Sequence, residues 1–185
     1  MDVGLPWRRR QGAKMMQVQE ISAGAPVTRI RRARSGDAPR LMEMIAALAA
    51  HHGDAGTPSL RAIERDLLGR TACGLALVAE HGPELAGYAV LTAMAEPQWG
   101  RRRMELTHLF VAPEARGAGI GRQLVAAAVA EARSQDCGRM TVGTHPDNRK
   151  AQALYTSLGF TPQASAGKRF QLELPAGGAL PAGWV

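Results

Sequence analysis

A glycine-rich turn between an apolar stretch and a helix-like stretch is the part of this chain best suited to bind an anion. The turn consists of Arg116, Gly117, Ala118, Gly119, Ile120 and Gly121. Glycines without a Cβ let backbone N–H groups at a helix start approach a phosphate closely. The helical pattern starts near Arg122, and the positive end of its dipole favours the same anion. The turn therefore predicts a nucleotide-type pyrophosphate site.

Two common phosphate-binding loops are excluded by the residue types. A Walker A loop needs Gly-Lys followed by Ser or Thr, and the chain contains no Lys-Ser or Lys-Thr pair. The dinucleotide fingerprint G-x-G-x-x-G needs glycine at position 122, where Arg122 stands. Its ribose-binding acidic residue is also missing, because 139–142 reads Arg-Met-Thr-Val. The turn alone is equally compatible with an ordinary surface loop, so its surroundings decide.

The turn and a second motif downstream form a pair of signatures in a defined order. The form Arg/Gln-x-x-Gly-x-Gly/Ala is met by Arg116, Gly119 and Gly121. The form Asn-x-x-Ala-x-x-Leu-Tyr-x-x-x-Gly-Phe is met by Asn148, Ala151, Leu154, Tyr155, Gly159 and Phe160. On these residues the chain resembles the GNAT superfamily of N-acetyltransferases over roughly 28–174. The resemblance implies acetyl-CoA as cosubstrate, an amine as acceptor, and the GNAT acyl-CoA N-acyltransferase fold.

The hydrophobic periodicity predicts elements that fit this α/β fold class. Strands are expected over 28–33, 75–80, 85–92, 104–111, 139–144, 160–164 and 169–174. Helices are expected over 38–50, 59–68, 120–135 and 148–158. This order predicts a central mixed β-sheet with helices on both faces. We interpret 1–26 as a flexible N-terminal extension, 27–174 as the N-acetyltransferase domain and 175–185 as a loose tail.

Composition limits the classes of partner. The apolar fraction of 45% in 185 residues indicates a globular domain, and the longest apolar runs are too short to cross a membrane. Cys73 and Cys137 have no metal-ligand spacing, and the adjacent His51 and His52 do not share a helix face, so we predict no metal. Two lone cysteines without a secretory signal indicate a reducing, cytoplasmic setting.

The net charge of +7 raises the question of an anionic partner. The basic residues are concentrated in the tail over 8–14 and in one turn over 101–103, and no helix carries a basic stripe interleaved with aromatic residues. We therefore predict no nucleic-acid partner and leave a homodimer open. The basic surface also suits attraction of anionic CoA.

Acetyl transfer from a thioester to an amine requires removal of a proton from the amine, stabilisation of the carbonyl oxygen and protonation of the departing thiolate. Glu105 is the leading base, because it lies eleven residues before Arg116. The resemblance implies a base at this spacing, where histone-acetylating members of the superfamily carry a strand glutamate that acts as base, often through water. His108 is the rival, since imidazole titrates near neutrality. Strand alternation predicts that these two side chains point to opposite faces. Bound water is a third route for the proton.

The resemblance assigns the remaining site residues. Tyr155 is the expected acid beside the CoA sulfur, with core packing as the alternative. Asn148 matches a position that binds the cofactor arm and also suits a helix N-cap, and Ala151 follows it in the motif. A backbone N–H among Leu109, Phe110 and Val111 is expected to bind the carbonyl oxygen.

The segments 49–68 and 97–103 are expected to shape the acceptor pocket. They carry no acidic cluster suited to a polyamine. The acceptor stays open among small amines, amino acids, aminoglycoside-like compounds and protein N-termini or lysines. The alternative function is a catalytically degenerate protein that binds acyl-CoA and regulates another process.

Overall fold

The computed structural model describes residues 27–54, 56 and 58–163. The chain divides into two compact units, of which the first ends at Val142 and the second begins at Gly143. The expected extension over 1–26, the strand over 169–174 and the tail over 175–185 lie outside the described residues.

In the described residues of the first unit, a five-stranded mixed sheet forms the framework, and its strands follow chain order. The strands are β1 (Thr28–Arg32), β2 (Leu75–His81), β3 (Glu84–Glu96), β4 (Arg101–Val111) and β5 (Cys137–Val142). Strands β1 to β4 pair antiparallel, and β5 runs parallel to β4. The predicted α/β class with a mixed sheet is confirmed.

One face of this sheet, which we call the α1 face, is covered by α1 (Ala38–His52), α2 (Leu60–Ile63) and a π-helical turn, Glu64–Leu68. Leu41 and Ile63 belong to a buried cluster that includes Tyr88 of β3. Burial of these side chains stabilises the sheet by about 25 cal/mol per Å² of apolar surface removed from water.

Helix α3 (Ile120–Ser134) covers the opposite face, which we call the α3 face. Gly87 allows this close packing, since a Cβ there would lie 2.7 Å from the Phe110 carbonyl oxygen and 3.3 Å from Leu124 Cδ1. Helices therefore cover both faces, as predicted. None of the helices in the described ranges has the length and apolar character needed to span a membrane.

The hairpin of β3 and β4 is longer than predicted. The expected strands end at 92 and resume at 104, whereas pairing continues to Glu96 opposite Arg101. A 3-10 turn, Pro97–Trp99, and Gly100 at φ 60° close the hairpin. The side chains of residues 93–95 are exposed. Pairing of their backbone with residues 102–104 extends the hairpin.

The second unit contains α4 (Arg149–Ser157). Asn148 caps its start, because the Asn148 side-chain oxygen accepts a 3.0 Å hydrogen bond from the Ala151 N–H. The N-cap reading of Asn148 is thus confirmed.

A Schellman arrangement ends α4. The strand expected over 160–164 is not observed at 160–163, the part of it that the structure describes. Gly159 has φ +89°, and the Phe160 N–H donates to the Tyr155 carbonyl at 3.0 Å. The Phe160 and Tyr155 rings lie 5.8 Å apart, so Phe160 belongs to the helix cap.

Candidate active site

Strands β4 and β5 pair along only the first half of β4. Their register runs from Arg102 opposite Cys137 to Leu106 opposite Val142, where β5 ends. β4 continues to Val111 with β3 as its partner. Within the first unit, the backbone over 107–111 therefore borders an opening on its β5 side.

The alternation of the β3–β4 ladder determines which backbone groups face this opening. The Ala112 N–H donates to the Ala86 carbonyl at 2.8 Å, so Phe110 and His108 also bond to β3. Leu109 and Val111 fall between these pairs, and their N–H and C=O groups point away from β3. The Val111 carbonyl accepts a 3.1 Å hydrogen bond from Arg116 Nε, which agrees with this direction.

The glycine-rich turn leads from the end of β4 into α3. Gly117 and Gly119 have φ +90° and +76°, which only glycine adopts without strain. The first α3 hydrogen bond runs from the Gln123 N–H to the Gly119 carbonyl, and no side chain caps this end within the described chain. The buried Ile120 anchors the helix start, while Arg116, Gly117 and Gly119 are exposed.

These features fit a pyrophosphate. The first-turn N–H groups of a helix have no intrahelical partner, and this end carries no acidic residue. The backbone donors and Arg116 supply positive potential to an anion. A Cβ at Gly117 or Gly119 would meet no protein atom within 4 Å, so the space in front of both glycines is open.

A β-bulge in β4 corrects the prediction that Glu105 and His108 face opposite sides. Val90 pairs with His108 and Leu91 with Leu106, so Thr107 is an extra residue without a β3 partner. The extra residue resets the alternation. Glu105 and His108 consequently lie on the same side, the α1 face. The Thr107 hydroxyl donates to the Val90 carbonyl at 3.2 Å and satisfies part of the interrupted ladder.

His108 is half-buried and contacts Tyr88, which is fully buried on β3. The Tyr88 hydroxyl lies 3.2 Å from His108 Nδ1. Burial lowers the pKa of His108, the charge of His52 lowers it further, and Asp54 acts in the opposite sense. Burial raises the pKa of Tyr88, so the phenol stays protonated. His108 is therefore a neutral imidazole near pH 7, able to accept a proton.

Glu105 is held by a neighbour on its own strand. Arg103 Nη1 donates to Glu105 Oε2 at 3.2 Å and to Thr141 Oγ1 of β5 at 2.9 Å. The Glu105 side chain keeps 31% of its surface exposed. The carboxylate is thus oriented and accessible where β4 and β5 begin to separate.

Residues 38–160 match the acetyltransferase (GNAT) family. The chain belongs to this family. Thialysine N-epsilon-acetyltransferase of Bos taurus is 30% identical over 140 residues, which cover 70% of this chain and 82% of the relative. The chain is accordingly an acyltransferase of the N-acetyltransferase class.

Solved structures agree with the GNAT fold. A probable acetyltransferase has a TM-score of 0.68 at 26% identity, covering 79% of this chain and 97% of that one. An aminoglycoside N-acetyltransferase, AAC(6')-Iy, in complex with CoA has a TM-score of 0.66 at 20% identity, covering 79% and 95%.

Within this GNAT domain, the first unit brings together part of the predicted site. Residues 109–111 and 116–122 follow one another around the end of β4 and the start of α3. Asn148, Ala151 and Tyr155 lie on or beside α4 in the second unit, where burial raises the pKa of Tyr155. In the described part of the chain, no group of three or more His, Cys, Asp or Glu side chains could hold a metal.

Sequence reasoning missed two contacts of the site. Tyr88 reads as an ordinary core residue of a strand, and its contact with His108 depends on cross-strand register. Arg103 had a signal, because it ends a run of three arginines. Its contact with Glu105 was nevertheless missed, because this contact depends on both side chains projecting from the same face of β4.

Proposed function

We propose that this protein transfers an acetyl group from acetyl-CoA to a primary amine, directly and within a ternary complex. The observation that carries the proposal is the β4–β5 opening with a glycine-rich, uncapped helix start directly after it. The relative that acetylates thialysine supports an amine acceptor, and the related structure with CoA supports the cosubstrate. Holding both reactants in one cleft supplies much of the rate.

The turn over 116–122 would hold the pyrophosphate of the cosubstrate. Its two left-handed glycines expose backbone donors, and Arg116 stays anchored to the Val111 carbonyl. Asn148 and Ala151 are proposed to contact the pantetheine arm. The N–H groups of Leu109 and Val111 face the opening, so they are the donors available to the thioester oxygen.

Glu105 is proposed as the base, directly or through water. A lysine-like amine with a pKa of about 10.4 is deprotonated in only about one molecule in 2,500 at pH 7, so proton removal is a real demand. His108 is the rival base, since it lies on the same face. Tyr155 is proposed to protonate the departing thiolate, because its phenol is neutral at pH 7 and can donate a proton.

The activity is tested by thiol release from acetyl-CoA across a panel of amines, with the products identified by mass spectrometry. The panel contains amino acids, polyamines, aminoglycosides and peptides with one free amine. Transfer to at least one amine is expected. Binding of acetyl-CoA without transfer to any amine would instead indicate a regulatory acyl-CoA-binding protein.

The base assignment is tested by Glu105→Gln and His108→Gln. Loss of a positioned base lowers kcat about 10²–10⁴-fold. We expect this loss for Glu105→Gln, with partial recovery at higher pH, since free amine increases about 100-fold from pH 7 to pH 9. Glu84→Gln, at the exposed first position of β3, is the matched control. A larger loss of kcat in His108→Gln than in Glu105→Gln would identify His108 as the base. An unchanged kcat in both variants would indicate that solvent removes the proton.

A further inference from the structure

A row of charged side chains leads along the α1 face of β4 from the hairpin tip to the proposed bases. Arg101, Arg103 and Glu105 alternate onto this face, and the bulge at Thr107 brings His108 onto it as well. Arg139 of β5 lies beside Arg103 in the parallel register. The row therefore continues onto the neighbouring strand.

The arginines of this row share one buried carboxylate. Glu96 is 5% exposed and is the only buried charged residue of the described chain. It accepts a 3.0 Å hydrogen bond from Arg101 and another from Arg139, while Arg103 Nε lies 3.6 Å away. Burial alone would raise the pKa of Glu96, but Arg139 and Arg101 hold it below its ordinary value. The carboxylate is thus ionised and positions the guanidinium groups.

The arginines around Glu96 and the neighbouring Trp99 expose positive charge and apolar surface to solvent. The Arg101 and Arg139 side chains keep 40% and 41% of their surface exposed, against 6% for Glu96. Their guanidinium carbons lie 5.1 and 5.3 Å from the centroid of the Trp99 ring. Trp99 is 56% exposed, and the nearby Met94 of β3 is 40% exposed.

We propose that this surface selects acceptors whose reactive amine belongs to an acidic peptide. We call it the arginine platform, and it consists of Glu96, Trp99, Arg101, Arg103 and Arg139. The inference rests on the proposed function, since it takes Glu105 as the position of the reacting amine. Arg103 is only 17% exposed and already donates to Glu105, so Arg101 and Arg139 are the guanidinium groups that the platform offers to a ligand. Held by Glu96, these two groups attract carboxylates and repel polycations such as polyamines and aminoglycosides.

A peptide fits the platform better than a small acidic amine because of its extent. Arg139 is the β5 partner of Arg103, two strand residues or about 7 Å from Glu105, and Arg101 lies four strand residues or about 14 Å away. An extended peptide rises about 3.3 Å per residue, so carboxylates two and four residues from the amine reach both arginines. Trp and Arg are enriched where proteins bind polypeptides, and Trp99 offers an exposed ring for such contact.

The test uses peptides with one reactive amine, either the N-terminus or a single lysine. Three matched peptides differ only at the positions two and four residues from the amine. Both positions are Glu in the first peptide, Gln in the second and Arg in the third. We expect kcat/KM for the Glu peptide to exceed that for the Arg peptide roughly tenfold or more. The preference should decrease as salt is raised, since exposed charges are screened over about 8–10 Å.

Variants connect the preference to the platform. Arg139→Ala leaves Glu96 with Arg101 and Arg103, and Trp99→Ala keeps every charge, so both are expected to fold. The ratio of kcat/KM between the Glu and Arg peptides should fall several-fold in Arg139→Ala, and the affinity for the Glu peptide should fall in Trp99→Ala. Arg29→Ala, an exposed arginine of β1, is the control and should keep the wild-type ratio.

The outcomes separate this inference from the proposed function. Acetyl transfer without a preference for acidic flanks, or with the preference unchanged in Arg139→Ala, would overturn the platform but not the activity. Equal rates for free glutamate and the Glu peptide would retain carboxylate recognition and reject a peptide acceptor. Absence of transfer to any amine would overturn both.

Discussion

Replacing Gly119 with valine should separate the cost of backbone strain from the loss of cofactor binding. Gly119 has φ +76° and ψ 5°, and a Cβ there would meet no protein atom within 4 Å. The variant should therefore fold with no clash, at a strain cost of at least about 1–2 kcal/mol for a left-handed residue. That cost lowers Tm by about 2–8 °C in a chain of this size.

Gly53→Val is a matched control, because Gly53 has φ 78° and ψ 16° and equally open surroundings. Gly53 ends α1 and lies outside the glycine-rich turn. Both variants should lose similar stability in thermal melts. Only Gly119→Val places a side chain in front of the α3 start.

The affinity for CoA, measured by calorimetry, should distinguish the two variants. A charge-assisted hydrogen bond contributes about 1.5–3 kcal/mol, so loss of one backbone contact to the pyrophosphate weakens binding about 10- to 150-fold. This weakening is expected for Gly119→Val and not for Gly53→Val. Unchanged CoA affinity in Gly119→Val, or equal weakening in both variants, would refute the assignment of the turn.

Three further perturbations test the site and the packing beneath it. Tyr155→Phe should keep CoA affinity and lower turnover about 10²–10⁴-fold in single-turnover assays, since it removes the proposed acid. Gly87→Ala should lower stability by about 1–3 kcal/mol in denaturant titrations, because its Cβ would lie 2.7 Å from a backbone oxygen. For His108, the folded pKa lies below the unfolded value, so the unfolded state binds more protons and stability should fall as pH drops below about 6.5. His108→Gln should flatten this fall in thermal melts between pH 7 and pH 5.

Each of these expectations has a result that would contradict it. Wild-type turnover in Tyr155→Phe would reduce that residue to packing against Phe160. Gly36→Ala is the control for Gly87→Ala, since no atom lies within 4 Å of its Cβ and its φ is not left-handed. Equal stability of these two variants would show that α3 moves away from the sheet at no cost. An unaltered pH dependence in His108→Gln would mean that other groups cause it.

Local features of this protein follow directly from the sequence. The turn around Gly117 and Gly119 forms as predicted, because neighbouring residues alone determine where glycine permits a positive φ. Helices α1 and α3 were predicted to within a few residues from apolar periodicity. Asn148 caps α4 for a similarly local reason, since its side chain reaches an N–H three residues ahead.

The length of the β3–β4 hairpin was not predicted from the local sequence pattern. Residues 93–95 read Ala-Met-Ala and show no alternation of apolar and polar residues, and the prediction ended β3 at 92 although pairing continues to Glu96. Backbone hydrogen bonds extend a hairpin even where the side chains stay exposed. The arginine platform exists only because of this extension.

Relations between strands were decided by the tertiary structure alone. Alternation along β4 places Glu105 and His108 on opposite faces, yet the bulge at Thr107 brings both onto the α1 face. A bulge depends on which residues of the partner strand pair with β4. The sequence of β4 by itself does not contain this information. The same holds for the contact between Tyr88 and His108. The sequence alone determined the family signatures and the local turn, whereas cross-strand register decided which of the reactive side chains meet.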